Sequence, residues 1–476
     1  MKKIAILSMM FVMMTITSCK KYLDIQPVHT FGSNLAITSV TGLQQTTLGA
    51  FSQIQSGNLY GGGIILNSEL MADYINPATA ILTNFSLGQE YTHQLNIYNS
   101  SAGGMWGDGY QAILTANTVL QYLPNFQAGD PADCNLLQGE CLYIRAAMHF
   151  ELVRMFAQPW GFTSDNSHLG VPIRLTPGTS TTGQNTPRST VAQVYAQVIA
   201  DLQAAEPLLP SDMSAIGPDY VSKYAADAML ARVYFSQNDF ANAEIYATKA
   251  INGGFSLNDS LNNPSSPYSI TSVYNQLADQ TTPETIFQII NTAKNDPASG
   301  NLNGNFTHAP FGSTVPNIQM NAPLISILVS AQALGDLRYT KLFKKSFGEY
   351  FCTKYSAQLT NVCVIRLAEM YLTRAECEAQ LGDYTDARTD YNMTRHRAGL
   401  AADNTSSGQG LINAIRGERD LELAMEGDHY FEVKRRKGSF NTPGAGVLQW
   451  NAYNMIYPIP QQEVQQNKAM VQNPGY

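Results

Sequence analysis

The chain has few charged residues and lacks the short motifs that mark common catalytic sites. Charged side chains make up 14% of its 476 residues, against about 25% in typical soluble domains. It contains no HExxH, GxSxG, P-loop or helix-opening GxGxxG, and its seven histidines show no metal-ligand spacing. These absences argue against zinc-protease, serine-hydrolase and nucleotide-dependent chemistry, so we expect neither a cofactor nor a metal ion.

Basic residues are outnumbered by acidic ones, 29 to 37, which gives a net charge of −8. A negative chain is a poor partner for nucleic acid, so none is expected. Hydrophobic residues make up 44% of the sequence, which excludes bulk disorder. The length suffices for about three domains or one large continuous assembly with a sizeable core.

Cysteines are also few, and no CxxC pair or zinc spacing occurs among the six. Cys134 and Cys141 are predicted on one helix about 10 Å apart, which is too far for a disulfide. Cys352 and Cys363 flank a segment that could fold back as a hairpin, and a disulfide between them stays open.

The N-terminus carries a short apolar run that ends at a cysteine. Lys2 and Lys3 precede a run from 4 to 17, which is too short to span a bilayer, and Cys19 follows Ser18. This arrangement resembles a bacterial lipobox, which is cut before the cysteine that then receives lipid. Several acyl chains would hold the protein on a membrane. No other run is apolar and long enough to span one, so the lipid on Cys19 is the only membrane attachment expected.

Helical periodicity dominates the rest of the chain. Apolar residues recur at helical spacing over 106–124, 141–156 and 189–210, and the last segment begins with a Thr190–Gln193 capping box. The likeliest strand is 286–290. Long polar stretches over 56–63, 76–105, 157–188, 253–322 and 401–410 separate the helical blocks.

Two segments, 225–251 and 366–395, repeat each other. Each predicts a helix, a tight Asn-Asp or Gly-Asp corner, an aromatic residue and a second helix. The segments align at Ala231/Ala375, Asp239/Asp383, Phe240/Tyr384 and Ala243/Ala387. Small alanines allow two helices to approach closely, and the pattern is that of tetratricopeptide units.

The densest charged stretch, 416–438, has two interpretations. Glu418, Glu422 and Glu426 are spaced for one helix face, with Gly427 as a helix stop, and paired carboxylates can hydrolyse glycosides. Arg416 and Arg419 flank Glu418 in the chain, however, and Lys434, Arg435 and Arg436 follow. We therefore favour structural ion pairs over catalysis.

Several of these motifs, in this order, resemble the SusD/RagB lipoproteins of the Bacteroidetes outer membrane. They include "CKKYLD" at the lipobox, the helix from Trp106 to Asn117, "HFELVRMF" at 149–156, "RLAEMYLTRAECEAQLGD", "ELAMEGDHYFEV" and the ending "YPIPQQEVQQNKAMVQNPGY". The resemblance covers essentially the whole chain. His429 departs from it, because the family commonly has arginine at this position.

The resemblance implies a mainly α fold of tetratricopeptide-like repeats with long irregular loops and few short strands. It divides the chain into a signal peptide (1–18), an N-terminal half with helical repeats (19–260) and a C-terminal half with a long insertion and a further repeat (261–476). It implies a non-catalytic, surface-exposed lipoprotein that delivers oligosaccharides to a SusC-like TonB-dependent transporter. Two alternatives are a peptide-binding RagB-like protein and a docking scaffold without its own ligand.

Family binding sites tend to lie in the loops before the Trp106 helix and in the central insertion, so exposed rings and polar groups there are the candidates. Aromatic rings stack on the C–H faces of sugars, while amide and carboxylate groups bond their hydroxyls. Trp106 itself is predicted to be core. The candidates are Asp73, Tyr74, Tyr91, Tyr98, Asn99, Trp160, Phe306 and His308.

Overall fold

The fold is built mainly from helices. A computed structural model describes residues 37–177, 185–213, 220–277, 280–293, 296–297, 301–307, 316–442 and 445–476. The predicted signal peptide, Cys19 and His308 lie outside these residues. Helix accounts for 53% of the structure and strand for 8%, which confirms the mainly α class. In the described part of the chain, no helix has the length and apolar character needed to cross a membrane.

The N-terminal elements run from residue 40 to residue 251. In chain order they are α1 (Val40–Ile54), α2 (Gly63–Met71), β1 (Ile75–Pro77), α3 (Thr79–Leu82), α4 (Leu87–Thr92), α5 (Ser100–Tyr122), α6 (Pro131–Phe156), α7 (Val191–Ala205), α8 (Lys223–Ser236) and α9 (Phe240–Ile251). The stretch 76–105, predicted to be irregular, therefore contains two short helices and the start of α5.

The C-terminal elements begin with a buried strand. They are β2 (Thr285–Ile289), β3 (Ile318–Met320), α10 (Ala322–Ala333), α11 (Arg338–Leu342), β4 (Phe343–Ser346), β5 (Glu349–Cys352), β6 (Val362–Arg366), α12 (Leu367–Leu381), α13 (Tyr384–Arg397), α14 (Gly408–Glu422), α15 (Asp428–Arg435), β7 (Ser439–Thr442), β8 (Gly446–Gln449) and α16 (Gln461–Gln466). The strand predicted at 286–290 is confirmed within one residue.

Helix ends follow local chemistry. The predicted capping box forms at α7, because the Thr190 side chain accepts from the Gln193 N–H and the Gln193 side chain accepts from the Thr190 N–H. At the end of α5 the chain tightens into a 3-10 turn that contains Pro124, since proline cannot continue the hydrogen-bond ladder. α6 starts ten residues before the predicted segment and carries both Cys134 and Cys141, each as a free thiol.

The two aligned segments form the predicted helical hairpins, α8–α9 and α12–α13. Each corner places one residue in the left-handed region, Asn238 at φ 58° and Gly382 at φ 95°. The next residue, Asp239 or Asp383, then caps the second helix by accepting a backbone N–H. This conformation suits glycine and asparagine, which explains why Asn-Asp and Gly-Asp stand at equivalent corners.

Helices pack side by side, most of them with the next helix in the chain and α9 with the later α12. α5 lies on α6, α6 on α7, α7 on α8, and α9 on α12, so the two hairpins are joined through one interface. Phe235, Ala243 and Cys377 form a small cluster there, while Ala387 and Tyr391 pack with Leu411 and Ile415 between α12, α13 and α14. Stacked helical units of this kind bury a continuous core.

The strands form separate antiparallel two-stranded ladders: β1–β3, β2–β6, β4–β5 and β7–β8. Cys352 ends β5, which pairs with β4, whereas Cys363 lies on β6, which pairs with β2. The segment between the two cysteines does not close a hairpin of its own. Both thiols are free, so the disulfide that the sequence left open does not form in this structure.

Candidate ligand-binding site

The β1–β3 ladder joins the two regions in which the sequence analysis expects binding residues. Ile75 lies opposite Met320 and Pro77 opposite Ile318. The Ala78 N–H extends the contact by donating to the Asn317 carbonyl at 2.7 Å. The loop segment before Trp106 therefore lies against the end of the central insertion.

Asp73 and Tyr74, both half-buried, fasten the C-terminal half of the chain to this ladder. The Asp73 carboxylate lies 2.9 Å from His429 Nε2 and accepts the Asn441 N–H at 2.8 Å. The Tyr74 ring stacks on the His429 imidazole, with 3.6 Å between ring centroids. Both predicted residues are thus engaged within the protein, and their contacts position the ladder.

His429 is placed so that it carries a positive charge. Its Nδ1 lies 3.8 Å from Asp420 Oδ1, on the side of the ring opposite Asp73. Burial lowers the pKa of His429, but the negative charges of Asp420 and Asp73, together with the hydrogen bond to Asp73, outweigh burial and raise this pKa to about 9. Burial also raises the pKa of Asp73, but His429 outweighs that effect and lowers it.

Two exposed aromatic rings project from neighbouring turns next to the ladder. Phe85 is 63% exposed and Tyr98 is 67% exposed. The Ser100 N–H donates to Ser86 Oγ at 2.8 Å, and the Asn99 side chain donates to the Ser86 carbonyl at 3.2 Å. These bonds hold the two turns together, so the rings are presented on a fixed backbone. We call Phe85, Tyr98 and their exposed polar neighbours the aromatic surface.

The aromatic surface is uncharged. Thr83, Asn84, Gln94 and Ser100 are its exposed polar neighbours. The only carboxylate between 78 and 105 is Glu90, which is buried, and burial raises its pKa to about 8. Flat rings flanked by neutral hydroxyl and amide groups match the apolar faces and hydroxyl edges of a neutral sugar.

The other predicted residues take different positions. Tyr91 is buried, and Asn99, 2% exposed, caps α5 by accepting the Ala102 N–H. Phe306 is fully buried and meets the Tyr355 ring edge-on. Trp160 is half-buried and packs against Tyr195 on α7 at 5.1 Å between ring centroids. Neither Tyr91 nor Phe306 has the exposed ring that its loop position suggested.

The sequence analysis placed Trp106 in the core and did not include Phe85 among the candidates. Trp106 is 4% exposed and contacts Phe156, which confirms its place in the core. Phe85 was not predicted, although a lone phenylalanine in the polar run "LTNFSLG" is a usable signal. Its exposure depends on the turn at 84–86, where the Asn84 side chain accepts the Ser86 and Leu87 N–H groups.

The acidic residues of the 416–438 segment lie in a buried ionic network. α14 ends at Glu422, so Glu426 follows the helix, and the prediction of one shared helix face is wrong. Gly427 is not the stop of that helix. It adopts a left-handed φ of 79° just before α15 and donates its N–H to Glu69.

Ion pairing of these glutamates was predicted, but the predicted partners were wrong, because none of the basic residues of the 416–438 segment pairs with Glu418, Glu422 or Glu426. Glu418 binds Arg338 at 2.8 Å. Glu422 binds Arg338, Arg366 and Arg397, which arrive from three other elements. These arginines hold the pKa of Glu422 well below its usual range in spite of burial, which acts to raise it. No water-filled gap separates a pair of free carboxylates here, as glycoside hydrolysis would require. Across the described ranges, no group of His, Cys, Asp or Glu side chains is arranged to hold a metal ion.

Comparison with known proteins gives consistent matches along the chain. Residues 21–235 match a family model described as "Starch-binding associating with outer membrane", and residues 338–476 match the SusD family model. SusD-like protein P38 of Formosa agariphila is 24% identical, with both chains fully covered.

Solved structures show the same fold. A putative sugar binding protein from Bacteroides vulgatus has a TM-score of 0.78 and 25% identity, covering 93% of this chain and 99% of its own. A laminarin binding SusD-like protein has a TM-score of 0.72 and 20% identity, covering 92% and 99%.

Proposed function

We propose, because the chain belongs to the SusD/RagB family, that it binds neutral oligosaccharides and passes them to a SusC-like TonB-dependent transporter. It would do so as a lipoprotein held by Cys19 on the outer face of the outer membrane. Its family is one of carbohydrate-binding proteins. The delivery step, the transporter partner and the exterior orientation are part of the proposal. They can be tested by cross-linking in intact outer membranes, followed by identification of the bound protein.

The observation that carries the ligand class is the aromatic surface. Phe85 and Tyr98 are exposed but lie on hydrogen-bonded turns. Little conformational entropy is therefore lost from the backbone when a ligand binds. Stacking contributes about 0.5–1.5 kcal/mol per ring beyond area burial. The absence of an exposed charge between 78 and 105 favours a neutral glycan over a charged peptide.

We also propose that the protein does not cleave its ligand. Glu418 and Glu422, the residues that come nearest to a carboxylate pair, are 3% and 0% exposed and bound to arginines. A substrate could reach them only if this network opened. Incubation with the protein should therefore leave the chain length of laminarin unchanged, while the protein still binds laminarin.

The experiment uses the soluble protein lacking residues 1–19 in native gels that contain a panel of polysaccharides, with laminarin first. We expect a glycan in the panel to retard the protein. The double change Phe85→Ala and Tyr98→Ala should weaken that binding by about 1–3 kcal/mol. Tyr220→Ala is the matched control, because Tyr220 is 51% exposed and lies away from both turns, just before α8.

Two results would contradict the proposal. Full affinity in the folded double variant would show that the aromatic surface is not the binding site. Retention by a peptide mixture, with no retardation by any polysaccharide, would favour the RagB-like peptide alternative.

A further inference from the structure

A small cleft lies against the C-terminal segment, apart from the aromatic surface. Its volume is about 230 Å³, below the roughly 300–1,000 Å³ typical of sites for drug-sized ligands. Its walls come from the loop after α6 and from the segments around 451–456 and 473–474. Its lining includes Gln158, Phe162, Leu169, Asn451, Tyr453 and Ile456. The size suits one sugar ring better than a chain of them.

Two exposed rings line this cleft, and each is held in place by its neighbours. Tyr453, 52% exposed, lies over the backbone of Gly475, where a Cβ atom would come within 2.2 Å of the ring. Phe162, 42% exposed, contacts the His168 ring at 5.2 Å. His168 is fixed in turn by Thr163 Oγ1 and the Gln158 carbonyl, at 3.0 and 2.9 Å.

The charged group in the wall is already fully engaged. Arg188 is buried, and its guanidinium donates to the carbonyls of Gly170, Leu169 and Val471 and to Asn473 Oδ1, at 2.6–3.1 Å. A further contact reaches the Phe156 carbonyl at 3.5 Å. Arg188 therefore ties the C-terminal segment to the loop after α6 and leaves no donor for a ligand carboxylate. The polar side chains left for a ligand are neutral, Asn451 being exposed.

We propose that this cleft binds one neutral pyranose ring, stacked on Phe162 and Tyr453. The two rings supply apolar faces, the amides of Gln158 and Asn451 supply hydrogen-bonding groups, and the volume limits the occupant to a single ring. This inference rests on the proposed glycan-binding function and adds a second subsite to it.

The cleft is separated from the aromatic surface by the segment around Asn454. The Asn454 side chain donates to the His93 carbonyl at 3.3 Å, on the side of the Tyr98 turn, whereas Asn451, Tyr453 and Ile456 line the cleft. No residue that lines the cleft belongs to the aromatic surface, so the two places can be altered separately and the inference can be tested apart from the proposed function.

The test follows saturation transfer from the full soluble chain to glucose, galactose and mannose, with glucuronate and galacturonate as charged comparisons. We expect at least one neutral sugar to show transfer with the wild type. The double change Phe162→Ala and Tyr453→Ala should weaken its binding at the cleft about 2- to 12-fold per ring. Phe85→Ala with Tyr98→Ala should leave the cleft signal in place.

Three further variants separate stacking from folding. Tyr453→Phe keeps the ring over Gly475 and should retain binding. Tyr220→Ala should also retain it, because Tyr220 lies just before α8 and does not line the cleft. Phe162→Ala alone removes only an exposed ring, so it still reports on the cleft if the double variant fails to fold.

Three results would overturn the inference: no neutral sugar shows transfer with the wild type, the folded Phe162→Ala variant keeps full transfer, or the acidic sugars are preferred. If laminarin or another polysaccharide still retards the wild type in these cases, the proposed function stands and only the second subsite fails. If no polysaccharide retards it, the proposed function fails as well.

Discussion

At the scale of single residues, His429 is the best example of a side chain whose role depends on its surroundings. The family resemblance places an arginine here, yet the chain has a histidine. Two carboxylates, Asp73 and Asp420, lie on either side of the ring. They raise the pKa of His429 to about 9 against the effect of burial, so the histidine is a cation at neutral pH, as an arginine would be. The substitution therefore preserves the charge that Asp73 needs.

This pKa predicts how stability depends on pH. Because the folded pKa is raised from 6.5 to about 9, the stabilisation is fully present below pH 6.5 and is lost as pH rises through 9. At 1.36 kcal/mol per pKa unit, the loss is about 3 kcal/mol. The lowered pKa of Asp73 acts at the other end, since its contribution is lost as pH falls into the acid range.

We expect His429→Gln to lose less free energy of unfolding between pH 6.5 and 9 than the wild type does, by about 3 kcal/mol. Denaturant titrations across this range measure it. His396→Gln is the control, because His396 is an exposed histidine on α13. An identical pH slope in His429→Gln and in the wild type would contradict the assigned charge.

At the scale of elements, the two helical hairpins show how a repeated sequence becomes a repeated packing. Ala243 and Ala387 occupy equivalent positions on the second helix of each hairpin, and both are fully buried. A methyl group at these positions allows two helices to approach closely, so the side chain there is limited by volume. The left-handed corners at Asn238 and Gly382 then set the direction in which each second helix runs back along the first.

We expect Ala243→Trp and Ala387→Trp each to lower the free energy of unfolding by at least 1–3 kcal/mol, because a large ring must force the helices apart. Thermal and denaturant melts measure this effect. Ala241→Trp is the matched control, since Ala241 lies on α9 but is exposed. If both buried variants melt like the wild type, the alignment of the two repeats is wrong.

At the scale of the whole molecule, the question is how a helical scaffold stays at a membrane. The described residues contain no helix able to cross one. The lipobox-like segment ending at Cys19 offers a different attachment, in which several acyl chains act together. In the proposed function, such an anchor would leave the folded part free to present its aromatic surface beside a transporter.

We expect Cys19→Ala to release the protein from the membrane fraction or to leave its signal peptide uncleaved, because the acceptor thiol is gone. Fractionation with mass measurement detects either outcome. Cys363→Ala, which changes a thiol in the folded region, should stay in the membrane fraction with its lipid. Membrane retention of Cys19→Ala with unchanged mass would argue against the lipid anchor.

Elements whose signals are local could be predicted from the sequence. The Thr190–Gln193 box, the aspartate caps at Asp239 and Asp383 and the strand at 285–289 depend on contacts within a few residues or on apolar periodicity. The mainly helical class and the helical hairpins follow from these signals, because each one acts over a single turn or corner.

Which side chains meet across the chain, and which stay exposed, depends on the tertiary structure. Asp73 contacts His429 between the two halves of the chain, and Glu422 forms ion pairs with arginines from three other elements. Phe85 and Phe306 both stand in polar loop sequence, yet one is 63% exposed and the other fully buried. The reason is physical: burial and ion pairing depend on the summed packing of distant elements, which no local pattern of residues encodes.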